Sequence, residues 1–215
     1  MKVAIAISGL PRLYPISVAS WGRIMGAYDP DVYIHTWTEP GADKIYLRSQ
    51  LEWIFKTSSI EIDDPPEIDT TLYPDRHWPY TDVYRSQSMW RSIWNAHNMV
   101  AASGKEYDII IRGRMDFHVH KLELVEFDGV IVPYCPFKID LRFTYKGFAM
   151  HGLNDHLAYG NMHYMNLYAN TLNEMLSIYR DDGVDYCPEN LLAASLVKQG
   201  VPVMMQSMQH NLIRI

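Results

Sequence analysis

Between residues 112 and 120 the chain reads RGRMDFHVH, with two guanidiniums, a carboxylate and two imidazoles at alternate positions from Arg112 to His120. A carboxylate and an imidazole two residues apart can reach one divalent cation, which makes Asp116 and His118 the candidate metal ligands. Guanidiniums hold phosphate oxygens in pairs, so Arg112 and Arg114 are the candidate diphosphate ligands. If the segment stayed extended, these residues and His120 would share one face. A structural ion pair of Asp116 with one arginine, and exposed histidines on an edge strand, would account for any one of them alone. Taken together at the end of an apolar strand, the group favours function.

HxH also occurs in metallo-hydrolases. The other histidines are His35, His77, His97, His151, His156, His163 and His210, and they form no HxH or HxxxH pair. A metal bridging a diphosphate fits better, because the substrate then supplies the remaining oxygens.

The elements around the motif say where it stands. Ile109, Ile110 and Ile111 form a continuous apolar run, as in a central parallel strand covered on both faces. Open α/β sheets bind ligands beyond the carboxyl ends of their strands, which is where the charges begin. An apolar strand over 3–7 ends at Ser8-Gly9, and Pro11 stops it. A helix from Pro15 and a strand over 31–35 complete a βαβ unit. Further spacing predicts a helix over 44–56, a strand over 59–62 and a long irregular loop over 63–81. A helix over 82–102 follows, carrying Trp90, Ile93, Trp94, His97 and Ala101 on one face. Strands are expected at 107–111, 129–133 and 143–150, then a helix over 161–179. Pro188 opens a last helix that Gly200 closes, and a strand over 201–206 ends the pattern. With no internal repeat, the expectation is one α/β domain over 1–215, a mostly parallel central sheet flanked by helices.

Bulk properties narrow the class. A net charge of −6 and a pI near 5.8, with no Lys/Arg run, argue against nucleic acid as a partner. The 15 tyrosines and 6 tryptophans suit sugar-binding and nucleotide-stacking walls. Cys135 and Cys187 show no CxxC spacing and read as free buried thiols of a reducing compartment. No signal-peptide pattern opens the chain, and no stretch approaches the ~20 apolar residues of a membrane span. A cytoplasmic location is expected, with a membrane-bound acceptor still open to it.

With these residues in view, the chain resembles glycosyltransferases of the GT-A type. Those enzymes carry Asp-x-Asp at the end of a central strand, binding Mn²⁺ or Mg²⁺ and the donor diphosphate; Asp116-Phe117-His118 stands as a DxH variant. SGLPR at 8–12, DVYIHTW at 31–37, SQSMWRSIWNAHNM at 86–99, YDIIIRGRMD at 107–116 and DHLAYG at 155–160 carry the resemblance. They are similar to a loose group of bacterial and large-DNA-virus glycosyltransferases, the amino-terminal domain of a chlorella virus enzyme among them. A viral source would place the protein in the host cytoplasm.

The resemblance implies a GT-A-like, Rossmann-like fold and transfer of a hexose or deoxyhexose (glucose, galactose or rhamnose type). The donor would be a nucleoside-diphosphate sugar, UDP-linked first, and the acceptor a glycan hydroxyl; further domains in the natural chain are compatible with it. Ser8, Gly9 and Arg12 would seat the nucleotide, His35, Thr36 and Trp37 would line the base or ribose pocket, and Gln87 would face the donor. An inverting enzyme needs a carboxylate to deprotonate the acceptor, and Asp155 and Glu189 are the candidates, Asp155 ahead. Glu189 in a first helical turn also suits the helix dipole. A sugar-nucleotide phosphohydrolase, a non-catalytic nucleotide- or glycan-binding module, and a structural domain are the rival readings.

Overall fold

The structure, a computed structural model, describes residues 1–11, 14–38, 41–57, 59–76, 78, 81–134 and 142–212, leaving aside the side chains of 14–16 and 209–212. β1 (Val3–Ser8), α1 (Tyr14–Tyr28) and β2 (Asp31–Trp37) form the expected βαβ unit, with β1 and β2 parallel neighbours. α2 (Lys44–Phe55) leads to β3 (Ile60–Asp63), which extends the sheet beyond β2. After a short 3₁₀ turn at Thr70–Leu72 come α3 (Val83–Ala102) and β4 (Ile109–Arg114), which pairs with the other side of β1. β5 (Phe117–Lys121), β6 (Val130–Pro133), the β7 (Arg142–Tyr145) and β8 (Phe148–His151) pair, and β9 (Leu157–Gly160) follow. α4 (Met162–Ala169), α5 (Thr171–Arg180), α6 (Pro188–Lys198), β10 (Val203–Gln206) and β11 (Gln209–Leu212) complete the described elements.

The central sheet has seven strands in the order β10-β6-β9-β4-β1-β2-β3. All its pairings are parallel except those of β9, which runs against both β4 and β6. Alternation along β1 divides the core. Val3, Ile5 and Ile7 join Trp21, Leu51 and Phe55 of α1 and α2, while Ala4 and Ala6 face the layer holding Trp90 and Ile93 of α3. Small alanines on that side let a tryptophan-bearing helix lie close to the sheet.

The segment 112–120 does not stay extended. β4 ends at Arg114, Met115 and Asp116 turn, and β5 leaves to pair antiparallel with β11 in a separate sheet. α1 causes the break. A Cβ on Gly113 would stand 2.1 Å from the Trp21 ring, so only glycine lets that indole lie on the strand. Trp21 Nε1 then donates to the Arg114 carbonyl at 3.2 Å, and Ser17 Oγ donates to the Met115 carbonyl. The expected single face is therefore wrong: Arg112 is buried, Arg114 and Asp116 sit half-buried at the turn, and His120 is exposed on β5.

Three other expectations shift. The strand over 143–150 is a hairpin, because Lys146 and Gly147 both take positive φ, as a two-residue hairpin turn demands. The helix over 161–179 breaks at Asn170, whose side chain bonds Gln199 and Asn173. On α3 the buried face runs through Gln87, Trp90, Ile93, His97 and Val100, with Ala101 exposed, because α4 and α5 cover it as well as the sheet. Among the described residues no helix is long and apolar enough to cross a membrane.

Candidate functional site

Strand register collects the chemistry on one edge. Ser8 at the end of β1 stands opposite His35 of β2 on one side and Arg114 of β4 on the other. Because β9 is antiparallel and Gly113 pairs with Leu157, the preceding Asp155 and His156 fall beside the turn that carries Asp116. The start of α6 is tied to the same place, since the Leu153 amide donates to the Glu189 carbonyl at 3.0 Å. Two carboxylates, 39 and 73 residues beyond Asp116, thus arrive next to it.

Arg114 grips Asp116 with a two-pronged pair, Nε to Oδ1 at 2.8 Å and Nη2 to Oδ2 at 2.7 Å. Burial works against the Arg114 charge. The bonds to Asp116 and the nearby charges of Asp155 and Glu189 outweigh it and hold the guanidinium above its ordinary pKa. Arg112 is different. It is 2% exposed, its Nη1 donates to the Asp155 carbonyl, and its Nε and Nη2 make no hydrogen bond within the protein. Burial lowers its pKa, opposed by Tyr168 and Asp155. The hydroxyls of Tyr168 and Ser8 are also buried and unbonded, and burial pushes the Tyr168 phenol up. Of the two arginines, only Arg114 lies at the surface of the edge.

Asp155 is 4% exposed, with its Oδ1 3.5 Å from His156 Nε2. Glu189 is less enclosed, in the first turn of α6 behind Pro188, and accepts from Cys187 Sγ at 3.1 Å. Burial, and then Glu189, push the Cys187 thiol up to about 12, so it is no nucleophile. Cys135 and Arg12 lie outside the described residues.

For a metal, Asp116 and His118 supply a carboxylate and an imidazole, a donor pair of the kind Mn²⁺ accepts. Both Asp116 oxygens are taken by Arg114, and His118 Nε2 lies 3.1 Å from Arg23 Nη2, a neighbour the sequence did not suggest. Among the described residues no three His, Cys, Asp or Glu side chains are placed to hold a metal ion together. The remaining ligands would have to come from a diphosphate.

The expected nucleotide residues form a wall rather than an open surface. Gly9 takes φ +113°, which a side chain would strain. Its amide donates to Ser92 Oγ at 3.0 Å, and its carbonyl accepts from Thr36 Oγ1 at 2.8 Å. His35 is fully buried, with Nδ1 2.9 Å from Ser92 Oγ and Nε2 2.9 Å from Asn95 Nδ2 and 3.2 Å from Asp63 Oδ2. Trp37 packs edge-on against His35 and donates to the Ser88 carbonyl. Gln87 is a core group, donating to the hydroxyls of Tyr73 and Tyr186 at 3.0 Å each. Ser92, Asn95, Asp63, His156 and Tyr168 escaped the sequence reading. The one available signal was the run of polar residues inside the buried face of α3. A cavity of about 770 Å³ lies at the opposite edge of the sheet among Tyr107, Phe127, Asp128 and Tyr159, away from this chemistry.

No protein-family model and no curated protein matches the chain in sequence. In structure it is similar to the galactosyltransferase LgtC in complex with donor and acceptor sugar analogs, with a TM-score of 0.54 and 13% identity over 94% of this chain and 73% of that one. An active-site mutant of LgtC gives 0.50 and 9% identity over 90% and 69%. At such identities the likeness shows the fold, which is the GT-A-like one expected. Neither neighbour bears on the likeness to the chlorella virus enzyme.

Proposed function

We propose that the protein is a glycosyltransferase, a single catalytic domain that moves a hexose or deoxyhexose from a UDP-sugar to a glycan hydroxyl. The observation that carries this reading is the meeting of the Arg114–Asp116 pair with Asp155 and Glu189 at the carboxyl edge of a GT-A-like sheet. A nucleoside-diphosphate leaving group gathers negative charge as the glycosidic bond breaks. A guanidinium fixed beside it stabilises the transition state more than the ground state. Arg114 is that group: it turns from Asp116 to the diphosphate oxygens, and the buried Ser8 hydroxyl stands at the adjoining strand end.

Mn²⁺ or Mg²⁺, held by Asp116 and His118, would neutralise further charge on the diphosphate. Once Arg114 has moved, the Asp116 carboxylate is free to take that role. Glu189 is the base that deprotonates the acceptor hydroxyl, which makes the reaction inverting. Its place ahead of Asp155, against the order expected from sequence, follows from burial: an incoming hydroxyl reaches the start of α6 more readily than a carboxylate 4% exposed. Asp155, held through its carbonyl by Arg112, fixes the segment beside the Arg114–Asp116 turn.

Calorimetric titration of UDP and GDP, with and without Mn²⁺, on wild type and Asp116→Ala tests this reading. UDP binding that needs Mn²⁺ and is lost in the variant is the expected result. Binding indifferent to both removes the metal from Asp116, and no nucleotide binding at all removes the transferase. Release of nucleoside monophosphate from a sugar nucleotide would reassign the site to a phosphohydrolase.

A further inference from the structure

Three side chains from three separate elements line up behind the edge in the order of a nucleophilic triad. Ser92 Oγ of α3 is 2.9 Å from His35 Nδ1 of β2, and His35 Nε2 is 3.2 Å from Asp63 Oδ2 at the end of β3. The hydrogen bonding rules out an attacking serine. Ser92 and His35 are both fully buried. The Ser92 hydroxyl donates to the carbonyl of His35 itself at 3.0 Å, so its proton is not offered to the ring. In the neutral form His35 Nδ1–H donates to Ser92 and Nε2 accepts from the Asn95 amide at 2.9 Å, which leaves the Asp63 carboxylate beside Nε2 with no proton from the ring. Burial favours that neutral form, against the pull of Asp63 and Glu61.

What the hydroxyl does receive is the Gly9 amide, at 3.0 Å. Gly9 sits at φ +113° immediately beyond β1, and its carbonyl is held as well, by Thr36. Glycine reaches that φ without strain, so the turn is fixed by what its polar atoms bond to. Both polar atoms of the Gly9 backbone are secured by side chains from α3 and β2.

We propose that Ser92 and His35 are positioning residues that set the backbone turn at Gly9, and through it the seat of the donor nucleotide. Ser92 needs a hydroxyl because it must accept from two N–H groups and donate to a carbonyl at once; His35 needs an imidazole to donate to Ser92 and accept from Asn95. This assignment rests on the transferase reading for the identity of the ligand, though not for the state of the turn.

Two readouts on Ser92→Ala keep those levels apart: hydrogen exchange of the Gly9 amide by NMR, and binding of UDP with Mn²⁺ alongside kcat and KM for a UDP-sugar. The expected result is Gly9 exchange faster by about tenfold or more, UDP affinity and donor KM worse by about tenfold, and kcat at saturating donor within about threefold of wild type. Thr36→Val, which frees the Gly9 carbonyl, should move the same quantities less, and it decides the matter if Ser92→Ala does not fold. Folded variants with wild-type Gly9 exchange and wild-type UDP affinity overturn the proposal, as does covalent labelling of Ser92 by a fluorophosphonate. Should the wild type bind neither UDP nor GDP, the donor reading fails while the Gly9 exchange still tests the turn.

Discussion

Two polar nodes lie buried at the carboxyl edge of the sheet, and they are built in opposite ways. Around His35 both ring nitrogens and the hydroxyls of Ser92 and Thr36 are hydrogen-bonded. Around Arg112 the guanidinium makes one bond, to the Asp155 carbonyl, and the hydroxyls of Tyr168 and Ser8 make none within the protein. A satisfied buried network rigidifies its surroundings, whereas buried donors left open are costly and are retained where function repays them. The His35 node is therefore scaffold, holding the turn after β1. In the proposed reading the Arg112 node belongs to the working side, next to Asp155 and the Arg114–Asp116 turn.

The contrast can be broken most sharply at the working side. Glu189→Gln should lower kcat by about 10²–10⁴, the range for a lost general base, with UDP affinity kept. If Asp155→Asn shows that loss and Glu189→Gln does not, the base is the buried carboxylate and the roles exchange.

Next in size is the joint that aims the working side. Gly113→Ala drives a methyl into the Trp21 ring, 2.1 Å away, and should cost about 1–3 kcal/mol in urea unfolding. UDP binding should weaken with it, because Trp21 also holds the Arg114 carbonyl. An unchanged unfolding midpoint would mean that α1 does not make the turn.

A matched pair sharpens the comparison itself. Ser92→Ala leaves the half-buried Gly9 amide without its acceptor and should cost about 1–2 kcal/mol. Tyr168→Phe removes a buried hydroxyl that bonds to nothing in the protein and should be neutral, or stabilising by up to about 1 kcal/mol. Equal losses in both would erase the distinction between the nodes.

The smallest effect is in pH. His35 and His97 are both held below the ordinary 6.5, chiefly by burial, so the folded state resists a proton that the unfolded chain accepts. Their contribution to stability is whole above about pH 6.5 and falls away as pH drops through that value, levelling off below the folded pKa values. Denaturant midpoints between pH 7.5 and 5.5 should fall accordingly, and less so in His97→Gln. A midpoint that rises on acidification would show that neither imidazole is held neutral.

Much of this was legible in the chain. Ile109 to Ile111 announced a central strand because only a strand covered on both faces is apolar at consecutive positions. The βαβ opening and the Pro188 start of α6 rest on local rules, and they stand in the structure. Arg114 and Asp116 were legible as a charged pair at a strand end, though not which arginine would be buried. His35, Trp37 and Gln87 stood as ligand contacts because the resemblance placed them at the nucleotide. Burial made them wall and core, and burial is set by what packs above a residue.

Residue order and type alone determined most of the element order and the apolar strand that ends in charge; the candidate carboxylates needed the resemblance as well. Tertiary structure decided the rest. The reversed direction of β9 brings Asp155 beside Asp116, the Trp21 ring ends β4 at Arg114, and three elements meet at Ser92. The physical reason is common to all three. Local propensity acts over a turn or a strand, whereas strand direction, ring-on-backbone packing and buried hydrogen bonding depend on segments dozens of residues apart being brought together by the core.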